Sequence, residues 1–174
     1  MEKPAKNILV VDDQGTHAEI RRERIDLSSV AREIRHKLQE VSPERTVEVA
    51  IAPDAIADAD AQLRRIALEN LLGNAWKFFS KKENARIEFG VQQRGVKRVY
   101  FVRDNGAGFD MADAEKLLGA CQRLHSSADF PGTGIGLTTV QRIIRRHGGR
   151  VWVHSAVGRG TTFYFTLHKF ETER

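Results

Sequence analysis

The stretch Leu68–Phe79, LENLLGNAWKFF, constrains this chain more than any other. Wound as a helix at about 100° per residue, it divides into two faces. Leu68, Leu71, Leu72, Ala75 and Phe79 form an apolar back that has to lie on a core. Asn70, Asn74 and Lys77 gather within roughly 60° of one another on the front. Carboxamide oxygens can ligate a hard cation such as Mg²⁺, and an ammonium can meet phosphate oxygens. Taken alone, the stretch is equally an ordinary amphipathic helix with a solvated face.

Three glycine-rich stretches downstream shift that balance. Val99–Val102 is a nearly continuous apolar strand, suited to a sheet centre, and it runs into Asp104–Asn105–Gly106–Ala107–Gly108. Residues 109–131 are mixed, with a short helix expected around Ala112–Leu118 and then a polar segment suited to a mobile loop. Gly132–Leu137, GTGIGL, opens a helix to about Arg146 with Leu137, Val140 and Ile144 inward and Gly148–Gly149 at its end. Gly158–Thr161 lies in a final hairpin between strands Val151–His154 and Thr161–Leu167. Each glycine turn alone is only a turn; their order carries the signal. Glycines at a helix start expose N–H groups which, with the helix dipole, favour a phosphate. An aspartate ending a buried strand can accept a hydrogen bond from an exocyclic amine such as that of adenine.

The remaining elements follow from periodicity. Asp26 and Ser28 offer caps for a helix to about Gln39, striped by Val30, Ile34, Leu38 and Val41 and stopped by Pro43. Thr46–Ile51 alternates as a half-buried strand. Pro53 and the Asp/Ala-rich 54–60 read as a loop, with Asp60 capping the central helix. Arg86–Gln92 alternates again, and Arg94–Gly95 suggests a hairpin turn. Five strands and three substantial helices make one sheet covered on one side by helices, an α/β two-layer sandwich. The domains expected are an N-terminal extension at 1–23, the main domain at 24–170 and a tail at 171–174.

Composition narrows the class. At 174 residues the chain is one domain with a short extension, 41% hydrophobic and 29% charged, as in ordinary globular proteins. One cysteine, Cys121, excludes an internal disulfide and fits a reducing, cytoplasmic setting. No run is long and apolar enough to cross a membrane, and no signal peptide is legible. The net charge of +5 comes from dispersed basic residues without an aromatic-interleaved surface, so no nucleic-acid partner is expected.

With the four stretches in view, the chain closely resembles the catalytic and ATP-binding domain of bacterial sensor histidine kinases, in the GHKL (Bergerat-fold) ATPase superfamily. ENLLGNAWKF is similar to the N box, DNGAGF and GTGIGL to the two glycine boxes, and GRGTTF to the last; RLHSSADFPGTGIGL looks like the phytochrome-related kinases. The resemblance implies the α/β sandwich with an ATP lid, and ATP and Mg²⁺ as cofactors. It implies Asn74 as the Mg²⁺ ligand, Asn70 and Lys77 near the phosphates, and Phe78 against the adenine. Asp104 would take the adenine amine, with Gly106 and Gly108 permitting close approach. Gly132, Thr133, Gly134, Gly136 and Leu137 would line the phosphate side, with Thr162 also at the nucleotide. Arg123 falls in the lid at a position where a cation near the terminal phosphate is implied, and His125, also in the lid, is a candidate for a phosphate contact. ILVVDD near the N-terminus is similar to the first strand of a receiver domain, without the rest of that pattern.

Gyrase, a relative that hydrolyses ATP, carries a glutamate four residues before the metal asparagine. Here that position is Asn70, which cannot act as a general base, and Glu69 is about 100° around the helix. The expectation is therefore a protein histidine kinase transferring the γ-phosphate to a histidine on a dimerisation hairpin outside this chain, with a response regulator downstream and a monomeric state without the hairpin. None of the six histidines has the family's phosphoacceptor context. The family's F-x-x-F box falls on Leu118–Cys121, without its rings, which keeps a nucleotide-binding pseudokinase or regulatory module in play.

Overall fold

A computed structural model describes residues 7–11, 17–77, 83–113 and 135–168. In chain order the elements are β1 (Asn7–Val11), β2 (His17–Asp26), α1 (Leu27–Val41), β3 (Glu48–Ile51), β4 (Ile56–Asp60), α2 (Ala61–Lys77), β5 (Arg86–Arg94), β6 (Lys97–Asp104), α3 (Ile135–Arg146), β7 (Val151–Ala156) and β8 (Gly160–Phe165), with a 3₁₀ turn at Met111–Asp113 before α3.

The main sheet runs β3-β5-β6-β8-β7, parallel between β3 and β5 and antiparallel elsewhere. Its centre is β6, where Val99–Val102 are all buried, as the apolar run predicts. Strand alternation sends Ile87, Phe89, Tyr100, Val102, Val153, Phe163 and Phe165 to one face. These side chains share a core with Leu68, Leu71, Leu72, Ala75 and Trp76 of α2 and Leu137, Val140 and Ile144 of α3. The helices therefore cover that face. The β5–β6 hairpin closes through Gly95, whose φ of 65° serves the two-residue turn.

Two expectations need correction. Residues 54–60 are not all loop: Ile56–Asp60 is β4, paired antiparallel with Arg22–Asp26 of β2. Ala57 and Ala59 are buried while Asp58 is exposed, so small side chains supply the inward alternation that a search for Val or Ile misses. The single sheet is also accompanied by a second, three-stranded sheet ordered β1-β2-β4. β1 is its edge, pairing Asn7–Val11 with His17–Arg21. β2 runs without a break across residue 23, and its Ile20 is fully buried.

The helix ends are satisfied locally. Asp26 accepts from the Ser28 N–H at 3.0 Å as the N-cap of α1. Buried Ser28 donates to Ala52 O and accepts from the Ala55 N–H, tying α1 to the β3–β4 turn. Asp60 accepts from the N–H groups of Gln62 and Leu63 at 3.0 and 3.1 Å, the cap the sequence suggests. At the far end of α2, Arg45 donates to Trp76 O at 2.6 Å, where a cation also meets the negative end of the helix dipole. α3 ends at Gly148 (φ 76°) and Gly149, the latter donating to Ile144 O.

Candidate functional site

Helix α2 presents its two faces as its periodicity predicts. Leu68, Leu71, Leu72 and Ala75 are buried, Asn70 and Asn74 are half-buried and Lys77 is exposed. Asn70 spends its amide N–H on Ile66 O at 2.8 Å, which leaves its oxygen as the atom to offer a cation or a donor. Phe78, next on the helix, lies outside the described residues, as do Arg123, His125, Gly132, Thr133 and Gly134, and Leu118 and Cys121 of the altered aromatic box. Gly136 lies in the first turn of α3 and Leu137 is buried behind it.

Asp104 ends β6 on the helix-covered face and is 6% exposed. Its Oδ1 accepts from the Gly106 N–H at 2.8 Å, which folds the DNG turn around the carboxylate. Asn105 clamps the turn to the start of β5: its Oδ1 accepts from the Arg86 N–H, its Nδ2 donates to Asn84 O, both at 2.8 Å, and its own N–H reaches Arg86 O. The segment that follows α2 is thereby tied to the loop that carries Asp104.

The first glycine loop is also stapled to the last hairpin. Gly158 donates to Ala107 O at 2.7 Å, and the Phe109 N–H donates to Ser155 Oγ at 2.9 Å. Gly108 has φ 66°, and a Cβ there would lie 2.0 Å from Ala156 O. Gly160 has φ 90°, and its Cβ would lie 2.0 Å from Asp104 O. Both glycines thus permit backbone to meet backbone, and the contact for Gly108 is the hairpin rather than a ligand.

Thr162 sits one residue beyond the position paired with Asp104. Register pairs it with Arg103, and its Oγ1 faces the Arg103 Nε at 3.4 Å on the sheet face away from the helices. The residue opposite Asp104 is Thr161, 4% exposed, whose hydroxyl lies 2.9 Å from Ser155 Oγ.

A helix with a carboxamide front, set on the same side of a mixed sheet as a buried strand-end aspartate and two interlocked glycine turns, defines a GHKL-type ATP-binding domain. The chain belongs to the family of histidine kinase-, DNA gyrase B- and HSP90-like ATPases, which matches residues 59–171. It is 45% identical over 101 residues to the methanogenesis regulatory histidine kinase FilI of Methanothrix harundinacea, across 58% of this chain and 11% of that protein. It is 34% identical over 134 residues to the phytochrome-like protein Cph1 of Synechocystis, across 77% of this chain and 17% of that protein. The match thus spans a small part of either relative. Among solved structures, the catalytic domain of histidine kinase ThkA superposes with a TM-score of 0.68 at 23% identity, covering 85% of this chain and 95% of the other. ThkA in complex with response regulator protein TrrA gives 0.66 at 21%, covering 90% and 44%. These structures carry the fold. Among the described residues no helix is long and apolar enough to cross a membrane.

Proposed function

We propose that this chain binds ATP with Mg²⁺ between α2 and the β6–β8 end of the sheet, and transfers the γ-phosphoryl group to a histidine on a dimerising helical hairpin of a two-component kinase. The observation that carries the reading is the placement of Asp104, buried at a strand end on the face that α2, the helix bearing Asn70 and Asn74, covers with its apolar side. Asp104 would hold the adenine amine, already oriented by the Gly106 N–H. Asn74 would give one oxygen to the cation, whose other positions fall to phosphate and water, a division that suits Mg²⁺. The cation neutralises charge on the phosphates. Asn70 and Lys77 would orient the phosphates, joined by Arg123 and His125 from the lid and by the N–H groups of the Gly132–Gly136 turn. Thr161, paired with Asp104, would join the residues at the nucleotide in place of Thr162.

With Asn70 where a water-activating glutamate would stand, the chain positions a phosphoryl group without a base to activate water. The acceptor nitrogen would come from the hairpin, and a response regulator would take the phosphoryl group onward. The lone Cys121 fits a reducing, cytoplasmic setting. The relatives named above are called histidine kinases or phytochromes, which supports this assignment. Leu118 and Cys121, at positions where the family has lid-anchoring rings, favour a second reading as a nucleotide-binding module without transfer. Mixing the chain with γ-labelled ATP and an isolated cognate hairpin separates the two. Label on the hairpin supports the kinase; nucleotide binding without label supports the module.

A further inference from the structure

At the Asp104 end of the main sheet a cavity of about 340 Å³ opens on the face turned away from the helices, and its charged walls are side chains that the nucleotide reading does not use. Its walls include Arg86 and Glu88 of β5, Arg103 of β6, His154 of β7, Arg159 of the last turn and Thr162 of β8. Register puts Glu88, Arg103, Thr162 and His154 side by side across four strands. Asp104 and Thr161, one residue along, point to the other face.

We propose that this cavity is a binding site for a small phosphorylated molecule. Three guanidinium groups and an imidazole converge there against the carboxylate of Glu88. Of the three guanidinium groups, only that of Arg103 is engaged among the described residues: Glu88 lies 3.6 Å away, Thr162 Oγ1 faces its Nε, and it sits 5.0 Å from the Phe101 ring centroid. Those three neighbours fix its orientation. Among the described residues, the Arg86 and Arg159 side chains take part in no hydrogen bond or ion pair. A concave site with two uncommitted forks and one oriented fork matches the bidentate geometry of phosphate oxygens.

Size and shape select the class of ligand. The volume is that of a small-molecule pocket rather than of a groove for a strand or helix. A single-stranded nucleic acid held by base stacking would need open ring faces. The rings on this face are turned to one another instead: Trp152 stacks on Tyr164 at 5.5 Å, Tyr164 meets Phe101 at 6.3 Å, and the Phe101 ring covers Gly90. The cavity also touches Asp104, Asn105, Gly160 and Thr161, so an occupant would press on the loop and hairpin that build the other face. The binding claim itself does not rest on the nucleotide reading, because the two faces can be tested apart.

The test is titration of the whole chain with inorganic pyrophosphate, without Mg²⁺, followed by calorimetry and by amide and imidazole NMR shifts. The expected result is saturable binding that moves the signals of His154, Arg159 and Thr162. Lys77→Ala leaves it unchanged, and the surface double variant Arg86→Gln/Arg159→Gln, checked for an unaltered thermal transition, weakens it at least about tenfold. The proposal is overturned by the absence of saturation at about 10 mM ligand, a concentration that would register even millimolar affinity. It is equally overturned if binding disappears in Lys77→Ala and survives in the double variant. Binding of polyglutamate without binding of pyrophosphate would assign the face to an acidic protein and sink the small-ligand claim.

Discussion

The backbone N–H of Asp60, the N-cap of α2, donates to Nε2 of His147 at 3.0 Å, just beyond the end of α3. The other ring nitrogen, Nδ1, lies 2.8 Å from Ile143 O. With Nε2 accepting, the proton belongs on Nδ1 and is donated to that carbonyl. One imidazole, 1% exposed, thus joins the start of the carboxamide-bearing helix to the end of the helix that the second glycine box opens. A second proton would have to sit on Nε2, against the N–H of Asp60.

That geometry fixes a pH dependence. Burial holds the His147 pKa below its ordinary value; the Ile143 carbonyl acts the other way, Arg22 lowers it further, Asp60 opposes that, and Arg146 lowers it slightly. Above the ordinary histidine value of about 6.5, folded and unfolded chains are both neutral here, and the contribution is complete. As pH falls below it, the unfolded chain takes up a proton that the folded chain refuses. Stability then drops with a slope approaching about 1.4 kcal/mol per pH unit until the folded pKa is reached. Urea unfolding from about pH 8 to about pH 5 should show the advantage of the native chain over His147→Gln shrinking with acid. An advantage constant across that range would contradict the role.

Arg22 of β2 should matter more than its half-exposed position suggests. It donates to Asp58 O at 3.0 Å, to Leu167 O at 2.8 Å and to His147 O, joining the small sheet to the ends of α3 and β8. Arg22→Ala strands carbonyls in a partly buried place and should cost about 2–4 kcal/mol. Thermal unfolding checks it. A loss under about 0.5 kcal/mol, the size of an ordinary surface change, would mean the strand is an appendage.

The glycines give a graded series. Gly108→Ala and Gly160→Ala each combine positive φ with a backbone clash at 2.0 Å, and each should cost about 3 kcal/mol or more. Gly158 has φ 76° but open space around it, so its alanine variant should cost only about 1 kcal/mol. Gly73, inside α2 with nothing within 4 Å of a Cβ, should become more stable as alanine by about 0.5–1 kcal/mol. Denaturant midpoints for the four variants test the order.

Most of the main sheet and the three described α-helices are legible because their apolar periods are strong. LENLLGNAWK reads as helix from its stripe, and YFV reads as a sheet centre because it is apolar on both faces. The small sheet is hidden for the opposite reason. HAEIRRERID and IADAD lack β-branched alternation, and their strands are held by each other and by the packing of Ile20, Ile25, Ala57 and Ala59. At the site, Asp104 and Asn74 stand out as residue types at the ends of strong elements. The choice between Thr161 and Thr162 depends on register with Asp104, which only strand pairing supplies.

The central claim is that ATP with its Mg²⁺ sits between the carboxamide side of α2 and Asp104. Isothermal calorimetry of Mg·ATP into the 174-residue chain tests it most directly. The account predicts one saturable site tighter than about 1 mM, with the Mg²⁺-dependent part of the affinity lost in Asn74→Ala. No uptake of nucleotide at about millimolar concentration, or an unaltered Mg²⁺ dependence in that variant, would contradict it.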